Sequence, residues 1–108
     1  MSNVIIGKGN LEGKGVYAGT GFKQGEVVIR YNLRTLTDEE FKDLPENEKM
    51  FVHIHKGVKQ LYAEPERYVN HSPQPNTRQD LENERDIALR DIKKGEAITT
   101  NATKDDIN

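Results

Sequence analysis

The chain of 108 residues contains no cysteine, no tryptophan and no long apolar run. The absence of cysteine excludes a disulfide scaffold, a cysteine nucleophile and a zinc site with thiolate ligands. No apolar stretch approaches the ~18 residues that a membrane span needs, and the amino terminus has no signal-peptide pattern. We therefore expect a protein without a membrane partner in a reducing compartment, either the cytoplasm or, in a eukaryote, the nucleus.

An excess of charge of one sign is also lacking, because 18 Asp and Glu residues balance 16 Lys and Arg residues. The resulting net charge of −2 argues against direct nucleic-acid binding through a basic surface. Hydrophobic residues make up only 33% of the chain, which is enough for one modest core. We expect residues 1–108 to form a single domain.

Glycine is concentrated near the amino terminus, where the first 25 residues contain seven of the nine glycines. Short runs of β-favouring residues alternate with these glycines, which predicts short strands joined by tight turns. The predicted strands lie at residues 4–6, 16–18, 27–31, 51–55, 60–63, 86–89 and 97–99. The two strands that flank Lys56-Gly57 are predicted to form a hairpin. The chain should therefore be mostly β.

One short helix is predicted after Thr37. Residues 37–40 (TDEE) read as a capping box, with Thr37 as the N-cap and Glu40 at the third helical position. Pro45 should limit this helix to about two turns. Residues 64–77 are rich in Pro, Asn and Ser, and we predict a long loop there.

Two segments of the chain, residues 18–26 and 88–96, resemble each other. They share four identical residues at matching positions: Ala18 and Ala88, Lys23 and Lys93, Gly25 and Gly95, Glu26 and Glu96. This repetition predicts two similar hairpins at the two ends of the fold, with a variable segment between them.

The glycine clusters do not match known phosphate-binding motifs. Residues 13–19 have the spacing G-x-G-x-x-x-G, which is not the dinucleotide-binding pattern, and no Gly-Lys pair is followed by Ser or Thr. Nucleotide binding by a Rossmann fold or a P-loop is therefore excluded. No serine-centred elbow supports acyl transfer either.

His53 and His55 form the one candidate metal-binding pair. On a strand their side chains would point to the same face, about 7 Å apart. Such a pair needs a third ligand, and no cysteine or clustered carboxylate completes the site. We predict two solvent-facing histidines and no metal site.

Residues 67–76 (RYVNHSPQPN) are the most distinctive stretch of the sequence. Two prolines, two asparagines and a serine favour fixed turns, and Tyr68 and Val69 look buried. A constrained loop of this kind presents backbone amides and Asn and His side chains in fixed directions, which suits a polar ligand.

In three ordered blocks the chain resembles the SET-domain protein lysine methyltransferases. Residues 67–76 resemble the family pattern R-F-x-N-H-S-x-x-P-N, which is the most specific of the three. The other two blocks are residues 13–31, which begin GKGVYA, and residues 86–99 (DIALRDIKKGEAIT). The resemblance implies a β-clip-like SET fold of several small sheets, with about one short helix and a pseudoknot near the carboxy terminus.

The resemblance also implies a cleft for S-adenosylmethionine and a narrow channel for a lysine of a protein substrate. By position, the residues lining the cofactor would be Lys14, Gly15, Tyr17, Arg67, Tyr68, Asn70 and His71. Asn70 and His71 would hold its methionine-like end, and Tyr31 would border the lysine channel. Because free lysine has a pKa near 10.4, a channel that desolvates the ammonium would help it to lose a proton.

One catalytic position departs from the family pattern. The family's closing block usually continues G-E-E-L-T-Y-D-Y, whose last tyrosine orients the lysine amine. Residues 95–102 (GEAITTNA) place Ala102 at that tyrosine and Thr100 at the preceding aromatic residue. A methyl group neither donates nor accepts a hydrogen bond, so we expect methyl transfer to be weak or absent. The short chain leaves two alternatives: the channel is more open, or a partner chain in a homodimer supplies the missing wall.

Three functions stay open on the sequence alone. The first is a protein-lysine N-methyltransferase, and the second is an inactive module that binds S-adenosylmethionine or a partner. The third is an SAF-type β-clip binding domain, which residues 88–99 also resemble. This last reading leaves residues 67–76 unexplained and depends on fold analogy.

Overall fold

The structure is a computed structural model that describes residues 3–101. Within these residues the chain is mostly β, with two short α-helices. The strands are β1 (Val4–Leu11), β2 (Lys14–Ala18), β3 (Val27–Arg30), β4 (Arg34–Leu36), β5 (Val52–His55), β6 (Val58–Leu61), β7 (Asn70–His71), β8 (Thr77–Asp80), β9 (Arg85–Ala88) and β10 (Ala97–Thr100). The helices are α1 (Asp38–Asp43) and α2 (Glu46–Lys49).

The strands form three small sheets, which confirms the predicted fold class. Their strand orders are β1-β2-β10-β7, β3-β9-β8 and β4-β6-β5. All pairs are antiparallel except β10 with β7, which is parallel. The predicted hairpin is present as β5 and β6, and its turn residues Lys56 (φ 51°) and Gly57 (φ 80°) both have positive φ. A type I′ turn requires this conformation.

The predicted helix begins where the capping box places it. Thr37 Oγ1 accepts from the backbone N–H of Glu40 (3.1 Å), and the Glu40 carboxylate accepts from the N–H of Thr37 (3.0 Å). The expectation of about one helix missed α2, which follows directly after Pro45. Proline ends α1, but its φ of −57° also suits the start of a new helical turn.

The two repeated segments pair with each other instead of forming separate hairpins. Phe22 and Ile92 exchange two backbone hydrogen bonds of 2.8 Å. Consequently β2 pairs with β10 in one sheet, and β3 pairs with β9 in another. The prediction of two separate hairpins is therefore wrong. The pairing of the two segments buries Phe22 and Ile92 in the same core. In separate hairpins these two side chains would not meet.

The segment predicted as a long loop contains regular structure. A 3-10 turn occupies Glu66–Tyr68, and Asn70 and His71 form β7 beside Thr99 and Thr100 of β10. The prediction of loop throughout residues 64–77 is wrong, because pairing with a distant strand overrides the local turn preference.

Strand β10 lies between β2 and β7, with residues 72–77 running along it. The side chain of Asn76 bonds to two backbone groups of this strand: its Nδ2 donates to the carbonyl of Ala97 (2.7 Å) and its Oδ1 accepts from the N–H of Thr99 (2.9 Å). The N–H of Ser72 donates to the carbonyl of Thr100 (2.8 Å). These hydrogen bonds fix the carboxy-terminal strand beside β7, and the pseudoknot that the SET resemblance implied stays a prediction.

No helix within residues 3–101 is long and apolar enough to cross a membrane.

Candidate functional site

The side chain of Asn70 connects β7 to the hairpin of β1 and β2. Its Nδ2 donates to the carbonyls of Lys14 (3.1 Å) and Tyr68 (2.8 Å), and its Oδ1 accepts from the N–H of Asn10 (2.8 Å). The contact joins residues 56 positions apart in the sequence. Two of the sequence blocks proposed to bind the cofactor therefore meet in space, at what we call the Asn70 corner (Lys14, Gly15 and Asn70).

Two glycines permit this close approach. A Cβ on Gly15 would lie 3.1 Å from the carbonyl oxygen of Lys8 and 3.3 Å from Asn70 Nδ2. A Cβ on Gly9 would lie only 2.3 Å from the carbonyl oxygen of Lys14. The absence of side chains at these positions keeps β1, β2 and the Asn70 amide in contact and leaves the backbone of the corner open.

Aromatic rings form the wall beside the corner. The Tyr68 ring is buried and lies edge-on to the Phe51 ring, with the centroids 5.5 Å apart. The Lys14 ammonium lies over the Tyr68 ring, 5.0 Å from its centroid. The Tyr17 hydroxyl donates to the carbonyl of Lys8 (2.5 Å). A cleft of about 40 Å³ at the corner is lined by Gly15, Val16, Tyr17, Asn70, Ala97 and Ile98.

Arg67 is held by contacts within the protein. Its guanidinium forms a bidentate ion pair with Glu48 (2.9 and 3.1 Å) and lies 4.5 Å from the centroid of the Phe51 ring. Its Nε donates to the carbonyl of Tyr62 (2.8 Å). The side chain thus joins α2 to the site, and its contact with the cofactor stays a prediction.

A second cavity, of about 160 Å³, lies next to the corner and has Phe51 and Arg67 in its wall. We call it the central cavity. Its other lining residues are Leu11, Met50, His53, Tyr62, Glu66, Val69, His71, Gln79 and Thr100. His71, predicted to bind cofactor, lines the central cavity and directly follows Asn70 of the corner. Ala102, two positions beyond Thr100, lies outside the described residues.

Tyr31 lies behind the wall of the central cavity. Its ring is 5.4 Å from that of Tyr62, which does line the cavity, and its hydroxyl donates to the buried carboxylate of Asp86. Burial and the negative charge of Asp86 raise the pKa of Tyr31 above its usual value. The hydroxyl therefore stays protonated and fixed, and a border position at a lysine channel stays a prediction for this residue.

The two histidines of β5 enclose the Tyr62 ring. His53 lies 4.4 Å from it between centroids, and His55 Nε2 lies 3.1 Å from the Tyr62 hydroxyl. Both are half-buried, so the prediction that they face solvent is wrong, because Tyr62 packs its ring against both of them. Within residues 3–101, no group of three His, Cys, Asp or Glu side chains is placed to hold a metal ion.

Glu66 lines the central cavity and was not predicted from the sequence. It is only 4% exposed; its Oε2 accepts from the N–H groups of Asn32 (2.7 Å) and Ala63 (3.3 Å). Its Oε1 is buried and has no hydrogen-bond partner among the described residues. Burial raises the pKa of the Glu66 carboxyl above its usual range. Only its position beside the R-Y-V-N-H-S block could have drawn attention to it.

This raised pKa makes the stability of the protein depend on pH. The folded state binds the Glu66 proton more readily than the unfolded chain, so the free energy of unfolding falls as pH rises from the ordinary glutamate pKa through the raised value. Glu66→Gln should remove this dependence, because an amide does not titrate in this range. Urea unfolding of both proteins between about pH 4 and pH 8 measures the difference. Identical pH slopes would contradict the assignment.

The family comparison agrees with this geometry. The SET domain family model matches residues 13–101, which is most of the chain. The chain belongs to the SET domain family. None of the curated protein sequences compared with it matches.

Solved SET structures share the fold. A Plasmodium falciparum protein assigned as a histone methyltransferase is 23% identical with a TM-score of 0.69, over 94% of this chain and 93% of that one. A humanized mutant of the Chaetomium thermophilum Polycomb Repressive Complex 2, bound to the inhibitor GSK126, is 26% identical with a TM-score of 0.74. That match covers 99% of this SET domain but only 16% of the Polycomb chain.

Proposed function

We propose that this SET domain binds S-adenosylmethionine at the Asn70 corner and methylates a lysine side chain of a protein. The observation that carries the proposal is the hydrogen bond from Asn70 Nδ2 to the carbonyl of Lys14, which joins two of the family's sequence blocks. The central cavity, next to this corner, is the proposed channel for the lysine.

The residues at the corner suit a zwitterionic cofactor that carries a positive sulfonium. The chain's own contacts use both protons of Asn70 Nδ2 but only one lone pair of Oδ1, so this oxygen can accept a further hydrogen bond. Gly15 adds no side chain that would cover the backbone, and the Tyr68 ring supplies an aromatic wall. When bound, the cofactor supplies an electrophilic methyl group.

The residues of the chain would contribute mainly by positioning and desolvation. Phe51, Tyr62 and Val69 line the central cavity with apolar surface, which disfavours a charged ammonium relative to water. The parallel pairing of β10 with β7 would hold the Asn70 corner and the central cavity in a fixed relation. Orientation of two bound reactants can account for several orders of magnitude in rate.

A tyrosine at position 102 should increase the activity. Ala102→Tyr should raise the rate of methyl transfer about 5- to 13-fold, because one orienting hydrogen bond contributes about 1–1.5 kcal/mol. Transfer of a labelled methyl group to a histone mixture measures the rate, since the Plasmodium neighbour is assigned as a histone methyltransferase. Ala102→Phe, which adds the ring without the hydroxyl, is the matched control. No gain with tyrosine over phenylalanine would argue against the proposed role of this position.

An inactive binding module is the second candidate, and Ala102 is the observation that favours it. Titration with S-adenosylmethionine and S-adenosylhomocysteine, followed by a transfer assay, distinguishes the candidates. Binding with transfer supports the enzyme, and binding without transfer supports the inactive module. A protein that binds neither compound would fit the SAF-type alternative, and concentration-dependent activity would support the proposed homodimer.

A further inference from the structure

The wall of the central cavity contains a buried carboxylate with one oxygen unsatisfied. Backbone amides of Asn32 and Ala63 occupy Glu66 Oε2, whereas Oε1 has no partner within residues 3–101. A buried acceptor without a donor is costly, and a charged one more so. Buried groups of this kind in native proteins call for an explanation, and a ligand that supplies the missing donor is one.

The chain does not supply that donor from its nearest cation. Arg67 follows Glu66 directly, but its guanidinium is committed to Glu48 and to the carbonyl of Tyr62. The surrounding surface is largely aromatic and aliphatic, with Phe51, Tyr62 and Val69 in the cavity wall. The cavity volume of about 160 Å³ is several times the ~30 Å³ that one water molecule occupies. An alkyl chain ending in a cation matches both the wall and the carboxylate.

We propose that Glu66 holds the ε-ammonium group of the substrate lysine in the central cavity and accepts its proton. This inference rests on the proposed function, because it identifies the amine-binding group of the same site. A lysine ammonium has three donors, and a hydrogen bond between ammonium and carboxylate is charge-assisted and strong. The four methylene groups of lysine would lie against the aromatic wall.

The proton transfer leaves atoms and charges balanced. One N–H bond of the ammonium breaks and one O–H bond forms on Glu66 Oε1, so an ion pair becomes a neutral amine and a neutral carboxylic acid. The freed nitrogen lone pair forms the new C–N bond while the S–C bond breaks and its electron pair stays on sulfur. Glu66 then releases its proton to water.

Burial favours this exchange of charges. Removal from water raises the pKa of a carboxyl and lowers that of an ammonium, which brings the two proton affinities together. The direction of the Glu66 pKa shift agrees with a proton acceptor. The other titratable groups that face the cavity or its wall are His53, Tyr62, Arg67 and His71, with Tyr31 and Asp86 behind Tyr62. A pH profile therefore needs comparison with a Glu66 variant.

Nα-acetyl-lysine N-methylamide is a probe that tests the inference without the cofactor. Protein labelled with ¹³C at glutamate Cδ is titrated with it, and the Glu66 resonance is identified by its loss in Glu66→Gln. We expect the lysine probe to shift this resonance, and the norleucine analogue, which lacks the amine, to leave it unchanged. Glu66→Gln should bind the lysine probe about tenfold or more weakly, since it loses a charge-assisted bond.

Glu64→Gln is the matched control, because it removes the same charge from an exposed residue two positions away. It should bind the probe like the wild-type protein. In the Ala102→Tyr background, Glu66→Gln should also lower kcat and change its pH profile, whereas Glu64→Gln should change neither. Equal shifts with the lysine and norleucine probes, alongside intact methyl transfer, would overturn the inference and leave the proposed function standing. A lysine-specific shift without cofactor binding would support the role of Glu66 and count against the proposed function.

Discussion

Asn76→Ala should lower the free energy of unfolding by about 2–6 kcal/mol. The variant leaves the carbonyl of Ala97 and the N–H of Thr99 without their partner, in a segment where Asn76 itself is only 3% exposed. Both of these bonds are part-buried, and a backbone group left without its partner costs about 1–3 kcal/mol where water cannot replace it. Because small domains are stable by only about 5–15 kcal/mol, this is a large share of the total.

Urea unfolding of the wild-type protein and the variant measures this loss. Asn47→Ala, on the exposed surface of α2, is the control for loss of an asparagine and should change stability little. A loss below about 1 kcal/mol in Asn76→Ala would mean that the segment 72–77 does not hold β10 as described.

Asn70→Ala should weaken the binding of S-adenosylhomocysteine by about 1–3 kcal/mol, or about 5- to 150-fold. The variant removes both the Oδ1 acceptor and the bonds that hold Lys14 and Asn10 against β7. Calorimetric titration measures the dissociation constant. Asn83→Ala removes an exposed asparagine from the turn between β8 and β9 and should bind like the wild-type protein. Unchanged affinity in a folded Asn70→Ala protein would mean that Asn70 does not belong to the cofactor site.

The elements that the sequence predicted correctly depend on local chemistry. The capping box at Thr37 and Glu40 starts α1 because both hydrogen bonds join residues three positions apart. The turn at Lys56-Gly57 likewise follows from the backbone freedom of one glycine. Runs of β-branched residues marked most of the strands, because such side chains suit a half-buried pleated surface.

The features that the sequence analysis missed depend on contacts between distant residues. The repeated segments gave a visible pattern. Only the structure shows that Phe22 and Ile92 pair with each other and are both buried in the core. Strand β7 exists because β10 lies beside it. Glu66 is buried where the backbone amides of Asn32 and Ala63 donate to its carboxylate. No local sequence pattern indicates that a carboxylate is buried. Family motifs therefore indicated the Asn70 corner, whereas the character of the central cavity came from the fold.

The proposed function requires the Asn70 corner to bind the cofactor. Titration of the wild-type protein with S-adenosylhomocysteine, followed by both heat and backbone amide NMR shifts, tests it most directly. We expect one bound molecule per chain, with the largest shifts at Lys14, Gly15, Asn70 and His71. A folded protein that releases no heat and shows no shifts at these four residues would contradict it.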